Sequence, residues 1–231
     1  MGLLDGRIAV VTGAASGLGA AIAARFTQEG AVVVPLDLPD CDVTQEAQVA
    51  AAMARLARID VLVANAGVVP PWRSVEALDL TEWDQVFAVN VRGAAACMKH
   101  AAPRMAAGGA ILAMASINAE RAAASQALYT ASKHAVLGLV RAAALDLGPR
   151  GIRVNALAPG PVATAALRKR LAARHAAGGM NPDETLQIEA ARTPLRRIAT
   201  EAEVAATALF LVSDLASAIT GRMLRVDGGL E

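Results

Sequence analysis

Tyr129-Thr130-Ala131-Ser132-Lys133 sets a phenol and an amine four residues apart, which is one turn along the same face of a helix. An ammonium near a phenol favours the phenolate and draws the tyrosine pKa down from about 10 toward working pH, so Tyr129 is a candidate general acid/base. A Tyr–Lys pair on a helix is commonly a solvated surface pair. Two features oppose that here. Tyr129 is the single tyrosine of the chain, and Ser116 ends a strand pattern 13 residues upstream. The carboxyl ends of strands in an open parallel sheet are where ligands bind.

A second group of residues suits an anion. Thr12-Gly13-Ala14-Ala15-Ser16-Gly17-Leu18-Gly19 joins an apolar run to a helical pattern. Gly13 permits a sharp turn, while Gly17 and Gly19 let backbone N–H groups approach a pyrophosphate at the positive end of the helix dipole. The spacing is not the GxGxxG form, and a glycine turn alone is often structural. Asp37 adds context. It ends the second strand pattern 18 positions after Gly19, where a carboxylate can accept from both hydroxyls of an adenosine ribose. The same charge repels a 2′-phosphate, and Ala14 and Ala15 offer no cation to hold one, so NAD is favoured over NADP.

These groups need elements to carry them. Ile8–Val11, Val32–Asp37, Asp60–Ala64, Ala110–Met114, Ile152–Leu157 and Met223–Val226 read as strands. Most are apolar throughout, as strands buried on both faces are. Between them fall helical patterns at Leu18–Gln28, from a Thr44 cap to Ala57, Asp79–Met105, Ser125–Leu147 and from a Thr200 cap to Val212. Two polar helices are predicted between Thr164 and Ala191. Strand and helix in alternation predict an α/β fold, a doubly wound parallel sheet of Rossmann type. No linker-like tract divides the 231 residues, so one domain is expected.

Composition narrows the function. Lys+Arg number 22 against 21 Asp+Glu, which supplies no basic field for nucleic acid. No apolar run reaches the ~18 residues of a membrane helix, and the acid-bearing N-terminal segment does not read as a signal peptide. Cys41 and Cys97 are expected to be reduced thiols of a cytoplasmic protein, and no metal ligand set is evident. His100, His134 and His175 are read as surface or packing residues.

The chain resembles the short-chain dehydrogenase/reductase family in its common single-domain form. The resemblance runs the full length through Thr12–Gly19, Asn65-Ala66-Gly67, Asn90, Ser116, Tyr129 with Lys133, Pro159-Gly160-Pro161-Val162-Ala163-Thr164 and Asp227-Gly228-Gly229. It implies that Tyr129 transfers the substrate's hydroxyl proton and that Ser116 holds the carbonyl oxygen. Lys133 would lower the tyrosine pKa and hold the nicotinamide ribose, and Asn90 would position a water leading from Lys133 to solvent. Cofactor contacts are implied for Gly13, Ser16, Gly17, Leu18, Gly19, Asp37, Leu38, Asp42, Val43, Asn65, Ala66, Gly67, Pro159, Gly160, Val162 and Thr164, besides Tyr129 and Lys133. Family members of this form assemble as homotetramers and act on small alcohols or ketones.

One segment departs from the pattern. Only Leu38-Pro39-Asp40-Cys41 separates Asp37 from Asp42, where the family carries a helix and an edge strand. Six strands with a shortened edge are therefore predicted, and the adenine-side contacts of Leu38, Asp42 and Val43 depend on how that edge closes. Family members acting on cyclic dihydrodiols are also shortened. Asn118 and Gln126 are candidate substrate contacts, Trp83 a helix packing residue, and Trp72 a candidate for the substrate mouth. Arg168-Lys169-Arg170 reads as a solvated basic face, with a substrate carboxylate or phosphate as the alternative. The polar segment 163–193 is expected to form a substrate lid. The leading expectation is an NAD-dependent oxidoreductase on a secondary alcohol. An NADPH-dependent 3-oxoacyl-thioester reductase and a non-catalytic dinucleotide-binding protein are the alternatives.

Overall fold

The computed structural model describes residues 2–230. Six parallel strands form one sheet: β1 (Ile8–Thr12), β2 (Val32–Leu36), β3 (Val61–Ala64), β4 (Ala110–Met114), β5 (Arg153–Pro159) and β6 (Met223–Val226). Their spatial order is β2-β1-β3-β4-β5-β6. The first connection runs to one side of β1 and the next to the other, so the strand order reverses between β1 and β3. That is where an open α/β sheet leaves a crevice.

Alternation along each strand divides the core. Val10, Leu62, Ile111 and Val154 face one side, packing on Val49 and Met53 of α2 (Glu46–Ala54), Cys97 and Ala101 of α4 (Ala94–Ala101), and Val136 and Val140 of α5 (Ala127–Leu147). Ala9, Val11, Val63 and Leu112 face the other, against Ile22 and Phe26 of α1 (Gly17–Gln28) and Val204 and Leu211 of α8 (Glu201–Val212). Both faces of the central strands are thus covered, as their continuous apolar runs require. Two further helices, α6 (Ala165–Ala176) and α7 (Pro182–Arg192), lie outside this sandwich. Between them they bury only Leu171. No helix of the described residues is long and apolar enough to cross a membrane.

The predicted six strands and their parallel order agree with the structure, and β2 is an edge strand with Val32 well exposed. Residues 37–45 alone lead from β2 to α2. Thr44 does not cap α2. Its N–H and hydroxyl both donate to the Asp42 carboxylate (2.9 and 2.8 Å), and the helix starts after Gln45 without a side-chain cap. The predicted 79–105 helix is interrupted. α3 (Leu80–Phe87), capped by Asp79, passes into a π-helical turn (Ala88–Gly93) before α4. A π-turn inserts an extra residue into the helical ladder, and here the interruption carries Asn90, which is buried. Trp83 stacks on Phe87 with ring centroids 4.9 Å apart, the packing position expected of it.

One hydroxyl joins the strands at the crevice. Thr12 Oγ is buried and accepts from the backbone N–H groups of Asn65 and Ala66, each at 3.0 Å. Asn65 Nδ2 in turn donates to the carbonyls of Thr12 and Gly13 (2.9 and 3.1 Å). Thr12→Val keeps the volume but leaves the Ala66 N–H without an acceptor and the Asn65 N–H with only the Val63 carbonyl. It should lower stability by about 1–3 kcal/mol, read from the urea midpoint; an unchanged midpoint would assign the seam to packing alone.

Candidate active site

A cavity of about 1440 Å³ opens along the carboxyl ends of the strands. At one end lies the glycine turn. Gly13 (φ +65°) sits where a Cβ would come within 2.9 Å of the Ala66 Cα, and a Cβ on Gly19 would lie 2.0 Å from the Gly13 carbonyl oxygen. Gly17 also has a positive φ (+52°), but open space lies where its side chain would be. The three glycines therefore differ: Gly13 and Gly19 close the turn by packing, and Gly17 faces the cavity. All three line the cavity, and the missing side chain of Gly19 is also required by the Gly13 backbone.

The turn fits an anionic group on its own evidence of donors. Ser16 occupies the N-cap of α1 in extended geometry with no side-chain cap bond, and the first turn holds no acid. The N–H groups and the positive helix end are uncompensated. Asp37 stands beside it, half-buried. Its Oδ2 accepts from Ala15 N–H (2.7 Å) and its Oδ1 from Leu38 N–H (2.8 Å). Leu38, Asp42 and Val43 also line this end. Leu38 is exposed, and Val43 packs against Gly93, where a Cβ would lie 2.9 Å from the valine Cγ2. The shortened edge thus keeps these three at the cavity wall. Leu18, Asn65, Ala66, Gly67, Pro159, Gly160, Val162 and Thr164 line it too. The Asn65 amide nitrogen is engaged with the glycine turn.

The other end holds the proton-active groups. The buried stripe of α5 runs Leu128, Ser132, Lys133, Val136, Leu137 and Val140, so Lys133 occupies a core position. Its Nζ donates to the Met114 carbonyl at 2.7 Å and lies 5.7 Å from the centre of the Tyr129 ring. Burial pulls the amine pKa from 10.5 down to about 8. Ser116, just past β4, lies near the Tyr129 phenol, whose pKa it pulls down, and accepts from Asn118 N–H at 3.2 Å. Asn118 Nδ2 donates to Gln126 Oε1 (2.8 Å), and both side chains line the cavity.

The phenol departs from expectation. Desolvation raises the Tyr129 pKa above 10; the Ser116 hydrogen bond and then the Arg170 charge oppose it, and Lys133 does not figure among the causes. A desolvated amine turned onto a backbone carbonyl lends the phenol little positive charge. Asn90 also lies away from the cavity wall. It is buried behind Gly67, accepting from Val68 N–H (2.7 Å) and donating to Val68 C=O (2.9 Å) and Ser132 Oγ (3.2 Å). It braces the loop after β3 against the α5 turn that carries Tyr129 and Lys133. Sequence reasoning missed Arg174, Arg192 and Arg121, which line the cavity, because nothing in a single arginine's identity marks its direction.

The buried amine makes a stability prediction. Between about pH 8 and 10.5 the unfolded chain holds the lysine proton more tightly than the folded one, so stability gained by the folded state rises with pH there. Lys133→Met removes that titration. Its stability advantage over wild type should shrink as pH is raised through this window, measured by paired urea midpoints. A pH-independent gap would mean that the amine is solvated.

The geometry agrees with what related proteins indicate. A family profile described as enoyl-(acyl carrier protein) reductase matches residues 37–231. The chain is 41% identical to short-chain dehydrogenase reductase 5 of Arabidopsis thaliana, over 98% of this chain and 95% of that protein. It is 39% identical to cis-4-hydroxycyclohexanecarboxylate dehydrogenase of Sinomonas cyclohexanicum, with 96% of each covered. The structure of aldohexose dehydrogenase from Thermoplasma acidophilum superposes with a TM-score of 0.90 at 35% identity, covering 98% of this chain and 94% of that one. This chain belongs to the short-chain dehydrogenase/reductase family, oxidoreductases that use a nicotinamide dinucleotide.

Proposed function

We propose that the chain is an NAD-dependent dehydrogenase/reductase of secondary alcohols, with Tyr129 as general acid/base. The observation that carries this reading is that Ser116, Tyr129 and Lys133 line one end of a cavity whose other end is the open N-terminus of α1 beside Asp37. A ring-bearing substrate is favoured by the cavity's size and by the relative that acts on a hydroxycyclohexane.

In the direction of oxidation, Ser116 donates its hydroxyl to the substrate oxygen and holds it against Tyr129. Tyr129 accepts the hydroxyl proton, and the nicotinamide supplies a two-electron hydride acceptor. Ser116 and Tyr129 hold the oxygen while its carbon becomes planar, which is a matter of orientation and electrostatics. Lys133 lines the same end of the cavity and holds the nicotinamide ribose. At the far end Ser16, Gly17 and Leu18 bind the pyrophosphate through backbone donors. Asp37 accepts from the adenosine ribose.

The same reading makes residues 163–193 a lid over the substrate, since α6 and α7 are held by little apolar contact. It places the chain in the cytoplasm, where the buried free thiols Cys41 and Cys97 stay reduced. It also makes it a homotetramer, with exposed Leu80 on α3 and Leu145 on α5 offered to partner copies.

Two variants test the assignment. Tyr129→Phe should bind NAD normally and lose roughly 10²–10⁴ in turnover of a cyclic secondary alcohol; retained turnover removes Tyr129 from the proton step. Asp37→Ala should raise the NADP-to-NAD ratio of kcat/KM at least about tenfold, because a repelling charge is gone. An unmoved ratio would put cofactor choice elsewhere.

A further inference from the structure

The basic run on α6 does not form a single face. Residues two apart on a helix point about 200° apart, and residues four apart share a side. Arg168 accordingly turns outward to Asp183 (3.2 Å), while Arg170 and Arg174 turn inward to the cavity that holds Ser116 and Tyr129. The Arg170 guanidinium carbon lies 4.2 Å from the centre of the Trp72 ring, and that of Arg174 lies 5.0 Å from the same ring. Arg170 Nη2 also donates to the Pro70 carbonyl at 3.1 Å.

Charge balance separates these two arginines from four others, on the same helix or nearer the C-terminus. Arg168, Arg192, Arg197 and Arg225 each meet a carboxylate. Among the described residues Arg170 and Arg174 meet none. Arg170 is half-buried, and desolvation lowers its pKa while Tyr129 raises it, so its charge is felt at the phenol. Glu189, which shares the cavity, is already engaged by Arg192 at 3.1 Å. A partly desolvated guanidinium with spare donors and no anion is costly unless something supplies the anion. Val68, Val69, Leu167 and Leu186 give the wall between Tyr129 and the arginines an apolar share.

We propose that Arg170, backed by the Trp72 face and by Arg174, binds a carboxylate of the substrate, so that the substrates are hydroxy or oxo acids. In such an acid an apolar body separates the carboxylate from the reacting carbon. This rests on Tyr129 marking the reacting oxygen. The guanidinium fork accepts a planar carboxylate through two parallel hydrogen bonds, and the indole keeps the fork oriented before the substrate arrives. The pyrophosphate is held on another wall, at Ser16–Leu18, so the two anions do not compete.

The test compares hydroxycyclohexanecarboxylates with their carboxamides, using the full chain saturated with NAD. Wild type should favour the acids in kcat/KM. Arg170→Met keeps an apolar stem over Trp72 and should reduce the acid-to-amide ratio roughly tenfold to a hundredfold, mainly through KM; Arg170→Lys should retain part of it. Arg170→Gln serves if the methionine variant does not fold by circular dichroism. Equal use of acid and amide by wild type, or a ratio that Arg170→Met leaves unchanged, overturns the proposal and makes Arg170 only a lid tether. If wild type oxidises neither series with NAD or NADP, the dehydrogenase reading fails. Calorimetric titration of cyclohexanecarboxylate into the NAD-loaded chain then decides the carboxylate site by itself. Binding that Arg170→Met abolishes supports it, and no binding or equal binding rejects it.

Discussion

Seating a buried amine beside a half-buried phenol on one floor is the constraint that the rest of this molecule answers. Lys133 is 5% exposed, and its amine donates to the Met114 carbonyl. Burying such a group is unfavourable, which is why its pKa falls to about 8. Two elements bear that cost. The open end of β4 supplies both the Lys133 acceptor and, two residues on, the Ser116 partner of Tyr129. α5 supplies both proton-active groups and is pinned to the sheet by Val136 and Val140. Displacing either element by a helical turn would strand a charge without a partner, so the apolar core is what sets the chemistry's geometry.

The opposite end works by the reverse arrangement, with donors left open instead of groups buried. Gly13 and Gly19 are spent on packing the turn against Ala66 and against each other's backbone, and Thr12 and Asn65 fasten it to β3. This rigidity frees the α1 N-terminus to face the cavity without a side-chain cap. Asp37 meanwhile accepts from Ala15 N–H. With Leu38 N–H on its other oxygen, the carboxylate is fixed in orientation while each oxygen keeps a lone pair free.

Much of this was legible from residue types alone. Apolar strands, a glycine turn followed 18 positions later by an acid, and a Tyr–Lys pair four apart each have a local physical reason, and local reasons survive in a sequence. The missing edge strand was legible because four residues cannot span a helix and a strand. What failed was geometry set by tertiary partners. Thr44 has the right type for a cap, but the nearby Asp42 carboxylate takes both its donors. The π-turn at Asn90 leaves no mark in apolar periodicity, since the extra residue is absorbed within one helix pattern. The raised phenol pKa was missed because proximity on a helix face says nothing of desolvation, which here outweighs the neighbouring charge.

The Arg168–Arg170 run shows where sequence inference stops. Read as composition it is a solvated face; read as helical angle it splits, sending Arg168 to Asp183 and Arg170 to Trp72. Only the position of Trp72, fixed by the loop after β3, decides that the inward half meets an aromatic face and not water. α6 buries little besides Leu171, and the guanidinium–indole stack is a further contact between it and the loop after β3. Under the proposed reading, the side chain that makes this contact also recognises the substrate, at a distance in sequence from the β4–α5 floor. Changes on α6 can redirect which molecule is held while the groups that move the proton stay where the core has fixed them.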